Sequence, residues 1–106
     1  TYSYIGDMVM AGANCYTYNN GFLHSKGMIV DDRVFCYGTA NMDIRSFALN
    51  FEVNAVVYDE KKAREMVELF QEDLKVCRQI TRDYYAGRKL KIRVKEQVCR
   101  LLSPLL

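Results

Sequence analysis

Apolar residues recur along this chain with two different periods, and the change from one to the other marks out its elements. From Tyr2 to Ala11 the positions Tyr4, Ile5, Met8 and Val9 follow helical spacing, with Thr1 or Ser3 able to cap the start and Gly12 ending it. Asn14 to Tyr18 is rich in strand-forming types, and Asn19-Asn20-Gly21 supplies a turn whose residues tolerate positive φ. A second strand is predicted over the stretch ending Leu23-His24-Ser25-Lys26-Gly27-Met28-Ile29-Val30, after which Asp31-Asp32 turns the chain into Val34-Phe35-Cys36-Tyr37. The helix and the two strands after it are expected to form a short αββ unit.

Thr39 to Phe47 is polar and has no sustained period, so it reads as a loop or short helical turn. The next strand is expected over Phe51 to Tyr58, with Glu52, Asn54 and Val56 on one face and Phe51, Val53, Ala55 and Val57 on the other. Asp59 then caps the clearest helix, Glu60 to about Ile80, whose stripe of Ala63, Met66, Val67, Phe70, Leu74 and Cys77 belongs in a core. Gly87 marks a break, a second helical stretch runs from Arg88 to Leu102, and Pro104 closes it. The pattern therefore specifies an α/β fold, a mixed β-sheet flanked by helices, with residues 1–80 as the principal unit and 81–106 as a basic amphipathic helical extension.

Composition narrows this only a little. The 106 residues are 50% hydrophobic, enough for one domain or a piece of one. A net charge of +2 is too small to argue for nucleic acid as a partner. Cys15, Cys36, Cys77 and Cys99 form no CxxC pair, so buried, reduced thiols in a cytoplasmic setting are expected and a zinc site is rejected. No run reaches the ~20 apolar residues of a membrane span, and Thr1 to Met10 carries no signal peptide. The chain begins with Thr, which suggests an excised segment.

Candidate chemistry concentrates in one place. His24 is the only histidine. In an extended strand His24 and Lys26 share a face with Cα atoms roughly 6.6 Å apart, placing an imidazole beside a fixed cation, an arrangement suited to a phosphate. Asp31, roughly 23 Å away along an extended strand, falls in the hairpin turn. Gly38 allows close backbone approach to a ligand, Thr39 and Asn41 offer neutral hydrogen bonds to phosphoryl oxygens, and Glu52 is a carboxylate in reach of an adjacent strand, able to fix the tautomer of His24.

These residues carry a specific resemblance. His24-Ser25-Lys26-Gly27-Met28-Ile29-Val30-Asp31 is similar to the HxKxxxxD signature of the phospholipase D superfamily, and Gly38-Thr39-Ala40-Asn41 resembles the Gly-Ser/Thr-x-Asn segment that follows it there. Two coupled motifs are a far stronger signal than HxK alone. The run from Gly38 to Asp59 and the ending Arg100-Leu101-Leu102-Ser103-Pro104-Leu105-Leu106 resemble the C-terminal half of bacterial cardiolipin synthases. Thr39, where many members have Ser, keeps the hydroxyl.

The resemblance implies a phospholipase D-like half-domain truncated at its N-terminus, and metal-free cleavage of a phosphodiester through a phosphohistidine, with no cofactor. It implies one HxK motif from each of two halves, so the partner is the N-terminal half of the same parent chain, and the isolated chain is expected to be inactive. The motif residues His24, Lys26 and Asp31 would form the catalytic signature, with Asp31 structural by the alternation argument. Lys26, Thr39 and Asn41 would bind phosphate and Glu52 would orient His24. On the family pattern His24 protonates the departing glycerol and then deprotonates the incoming hydroxyl. The implied reaction joins two phosphatidylglycerol molecules into cardiolipin and glycerol, at the cytoplasmic face of a bacterial cell membrane.

Two other readings stay open at the level of sequence. One is a nuclease-like phosphodiesterase that builds its site from two copies of a short chain; the other is a non-catalytic half-domain that offers a lipid-binding or assembly surface. The C-terminal stretch carries Arg88, Lys89, Lys91, Arg93, Lys95 and Arg100 against one acid, Glu96. It reads either as a solvated or domain-packing helix or as an interfacial one with Leu90, Val94, Val98, Leu101 and Leu102 toward a membrane surface.

Overall fold

The computed structural model describes residues 2–102; Thr1, expected as a cap, and the closing Pro104 lie outside them. In chain order the elements are α1 (Tyr2–Met10), β1 (Cys15–Tyr18), β2 (Gly27–Val30), β3 (Val34–Gly38), α2 (Ile44–Ala48), β4 (Asn54–Tyr58), α3 (Glu60–Leu74), β5 (Cys77–Ile80), α4 (Arg82–Ala86) and α5 (Leu90–Leu101). The fold is α/β. Its strands divide between a three-stranded antiparallel sheet, β2-β3-β4, and a two-stranded antiparallel ribbon, β1-β5.

α1 stops at Met10, ahead of Gly12 at φ 98°. Ser3 is not its cap: it sits inside the helix and is buried. The expected αββ unit does not form, because β1 takes β5 as its partner, with Cys15 opposite Ile80 and Tyr18 opposite Cys77. The same pairing shortens the long helix. Asp59 caps α3 by accepting from the Lys62 amide at 3.1 Å, as expected, but the helix ends at Leu74. The Asp73 carbonyl accepts from the Val76 amide and the Cys77 thiol, and residues 77–80 leave as a strand. Cross-strand hydrogen bonds to β1 outweigh a helical periodicity that is only a weak prior. Cys77 thus leaves the predicted stripe, and Phe70 is exposed.

α3 lies against strands of both sheets and ties them together. Ala63 of α3 has no exposed surface, and Val9 and Ile80 are also buried. Beyond Ile80, Thr81 caps α4 by accepting from the Tyr84 amide at 3.2 Å, and Gly87 separates α4 from α5. α5 returns to α1, where Arg100 meets Asp7 at 2.8 Å and stacks over the Tyr4 ring at 4.4 Å. Arg88 reaches Glu96 at 2.6 Å, both side chains largely covered. The cysteines are free, but they are not buried as expected: Cys15, Cys36 and Cys77 are half-buried and Cys99 is exposed.

This core is thin for a chain so apolar. Phe22, Phe51, Val53, Met42, Tyr58 and Leu101 each expose more than three quarters of their surface. No helix among the described residues is long and apolar enough to cross a membrane.

Candidate active site

The site is built where β2 begins and β3 ends. The expected strand over 22–30 starts only at Gly27, since its register with β3 stops at the Gly27–Tyr37 pair. One further hydrogen bond, Gly38 N–H to the Lys26 carbonyl at 3.2 Å, holds the motif against β3, after which β3 turns away and leaves residues 22–26 irregular. His24 and Lys26 nevertheless meet. The Lys26 Nζ lies 3.0 Å from Nε2 and 3.1 Å from Nδ1 of His24, and donates to the His24 carbonyl at 3.3 Å. The Phe22 ring stacks on the imidazole at 5.6 Å between centroids. His24 is exposed and Lys26 half-buried, so the cation is anchored and the ring reachable.

Asp31 is at the other end of β2. Asp31 and Asp32 both have positive φ, 52° and 54°, and the Arg33 amide donates to the Val30 carbonyl at 3.1 Å, the pattern of a primed hairpin turn. The structure does not bring Asp31 to His24.

Gly38 sits where a Cβ would collide with Asn54 and the Val53 carbonyl, so only glycine permits the β3–β4 crossing there. Next to it, Thr39 is tied to the segment ahead of β4: its amide donates to the Val53 carbonyl at 3.0 Å and its hydroxyl accepts from the Val53 amide at 2.9 Å. Asn41 is set by a side chain not foreseen from the sequence. Buried Ser46 accepts the Asn41 amide at 3.1 Å, while its own amide donates at 2.7 Å to Asp43, the cap of α2. Asp43-x-x-Ser46 has helix-start spacing, which was the available signal. Asn54 was also missed; its Oδ1 accepts from the Ala40 amide at 3.5 Å.

β4 begins at Asn54, three residues later than expected, so Glu52 precedes the strand. Its carboxylate accepts from Asn50 Nδ2 at 3.3 Å, and its pKa is lowered, chiefly by the Thr39 hydroxyl, with Ser46 and Asn50 adding to the effect against opposing desolvation. No hydrogen bond joins Glu52 to His24 among the described residues; the carboxylate faces the 39–50 loop. Lys26, Asn41 and Asn54, with Ser25, Met28 and Phe47, line a cleft of about 420 Å³. It is large enough for a phosphodiester headgroup and carries one cation, amides and an apolar wall.

A mixed α/β domain with a His-Lys pair at the edge of a largely apolar cleft that holds one lysine and two asparagines is the class that fold and geometry define. A family model described as "Cardiolipin synthase, PLD-like domain" matches residues 1–74, and the chain belongs to that family. It is 56% identical over all 106 residues to the major cardiolipin synthase ClsA of Bacillus subtilis (strain 168), covering 22% of that protein. Over the same 106 residues it is 46% identical to cardiolipin synthase 1 of Staphylococcus aureus (strain COL), and 49% identical to the cardiolipin synthase of Oceanobacillus iheyensis, again covering 22% of each. The chain thus spans about a fifth of the length of the curated relatives it matches. No solved structure matches it.

Proposed function

We propose that the chain is the C-terminal catalytic half of a phosphatidyltransferase that converts two phosphatidylglycerol molecules into cardiolipin and glycerol. The observation that carries this reading is the Lys26 ammonium 3.0 Å from the His24 ring at the edge of a cleft lined by Lys26 and Asn41. The names of its relatives support the transferase class.

In the first step a histidine of the N-terminal half attacks phosphorus. The bond to the glycerol oxygen breaks, and that oxygen takes a proton from His24. In the second step the terminal hydroxyl of another phosphatidylglycerol gives its proton to His24, and its oxygen attacks phosphorus, releasing the first histidine. Lys26 and Asn41 hold the phosphoryl oxygens and offset their charge. Thr39, engaged with Val53, serves this geometry by holding the Gly38–Asn41 turn in place. Glu52 keeps the same turn ordered, and its expected action on His24 would require a shift of its carboxylate from Asn50. Asp31 acts on the hairpin. No cofactor or nucleic acid enters this scheme, and its setting is the cytoplasmic face of a bacterial membrane. The apolar side chains left exposed around the motif, Phe22 and Phe51 foremost, fit a surface covered by the other half.

The test uses a longer protein containing this chain. His24→Gln abolishes cardiolipin formation and leaves the far-ultraviolet circular dichroism unchanged. With a nitrophenyl phosphatidyl ester, whose leaving group needs no proton, the variant still gives a burst of nitrophenol if His24 is the acid, and none if it is the nucleophile. Unchanged cardiolipin synthesis would remove His24 from the mechanism. The isolated chain turns over no phosphatidylglycerol.

A further inference from the structure

We infer that the outward face of α5 is a docking surface for an anionic lipid bilayer, on which the helix lies in the plane of the headgroups. At about 100° per residue, Leu90, Leu101, Val94 and Val98 fall within about 80° of arc. They are 73%, 82%, 54% and 54% exposed, and with Tyr85 they line an open apolar groove that no other element covers among the described residues. The opposite side of the helix is the docked one: Glu96 is held by Arg88 and Arg100 by Asp7. The single acid of α5 is therefore turned inward and neutralised, and the outward surface keeps only cations.

Their positions decide the occupant. Lys91 and Lys95 border the apolar stripe on one side and Arg93 borders it on the other, with Lys89 at the start of the helix. All four are exposed, and among the described residues none has a carboxylate at ion-pair distance. The core of a protein–protein interface is depleted in lysine and anchored by aromatic residues. Here the stripe is aliphatic and bordered by long cationic side chains, whose stems cover apolar surface while their heads reach phosphates beside it. Each such cation contributes a few-fold to partitioning onto an anionic surface. The arrangement matches a bilayer rather than a protein partner. It extends the lipid reading of the active site, but it is tested by binding and not by turnover, so either reading can fail without the other.

The chain contains no tryptophan, which makes one placed on this face a local reporter. In the 106-residue chain carrying Val94→Trp, emission shifts to the blue on phosphatidylglycerol vesicles and stays put on phosphatidylcholine vesicles. Adding Lys91→Gln and Lys95→Gln weakens partitioning roughly 30-fold. A chain with Leu69→Trp, on α3, binds equally well with no shift. Should Val94→Trp fail to fold by circular dichroism, Val98→Trp on the same stripe takes its place. Absence of a shift on phosphatidylglycerol vesicles, or an affinity indifferent to the two glutamines, would overturn the assignment. The first outcome would leave α5 to be covered by protein, the second would move any lipid contact to another face.

Discussion

The side-chain nitrogen of Lys26 lies between the two ring nitrogens of His24, 3.0 Å from Nε2 and 3.1 Å from Nδ1. An ammonium group has donors only, so it bonds whichever ring nitrogen carries no proton. The same donors would serve a phosphoryl oxygen entering the cleft. Lys26→Met in the longer protein is expected to lower kcat/KM for phosphatidylglycerol by about 2 kcal/mol of transition-state stabilisation, roughly 30-fold, the range for a charge-assisted hydrogen bond. Lys26→Arg would recover little, because a planar fork does not replace a point cation in a cleft shaped for one. A Met variant with the parental rate constant would exclude Lys26 as the phosphate anchor.

Ser46 is the hidden support of Asn41. It is 7% exposed, accepts the Asn41 amide and donates its own amide to Asp43. Ser46→Ala removes the acceptor of the Asn41 amide and should cost about 1 kcal/mol in urea unfolding. Asp43→Ala removes the cap of α2 and should cost about 1 kcal/mol. Because both act on one turn, the double variant should lose less than the sum. Full additivity would show that the two bonds are independent.

At the hairpin, Asp31 and Asp32 occupy the left-handed region, which strains any residue with a Cβ. Asp32→Gly is expected to raise stability by about 0.5–1 kcal/mol, read as a higher midpoint of thermal unfolding. Asp31→Asn, equally suited to the turn, should leave cardiolipin formation by the longer protein within about two-fold of the parent. A loss of activity with unchanged stability would return Asp31 to the chemistry.

Glu52 makes stability depend on pH on the acid side. Its pKa is lowered from the ordinary 4.5, first by the Thr39 hydroxyl. A carboxyl whose folded value lies below its unfolded one stabilises the fold above pH 4.5, and that contribution disappears as pH falls through the folded value. Comparing thermal unfolding of the parent and Glu52→Gln from pH 7 to pH 3, the gap between them should be constant above pH 5 and close below 4.5. A gap that stays constant to pH 3 would show that Glu52 is not coupled to the turn.

Much of this molecule is local and was therefore legible in the residues. The hairpin, with its three-residue loop 31–33, follows from Asp31-Asp32 between apolar runs, and the start of α3 from Asp59. The break at Gly87 and the adjacency of His24 and Lys26 also depend only on neighbours in sequence. Where an element's length departs from its pattern, a distant partner intervenes. Cys77 to Ile80 continues a helical stripe on paper, yet it pairs with Cys15 to Tyr18, and a ladder of strand hydrogen bonds is invisible to a pattern count. β2 and β4 start late for the complementary reason: β3 offers them register only from Gly27 and Asn54 onward. Alternation puts Glu52 on a strand face, but β4 begins only at Asn54, so Glu52 lies outside the ladder that would orient it.

The chain alone thus determined the candidate reactive groups and their order, because a covalent spacing of two residues brings a histidine and a lysine together in nearly any extended backbone. It determined the family for the same reason, two coupled motifs being read directly from side-chain identities. Tertiary structure decided which groups converge. It set Asn41 through Ser46, turned Glu52 toward Thr39 and Asn50, and sent Asp31 to the far end of β2. It also turned the acid of α5 inward and its lysines outward. Those outcomes depend on non-local pairing and on where a helix finds a neighbour, and neither is encoded in the period of apolar residues.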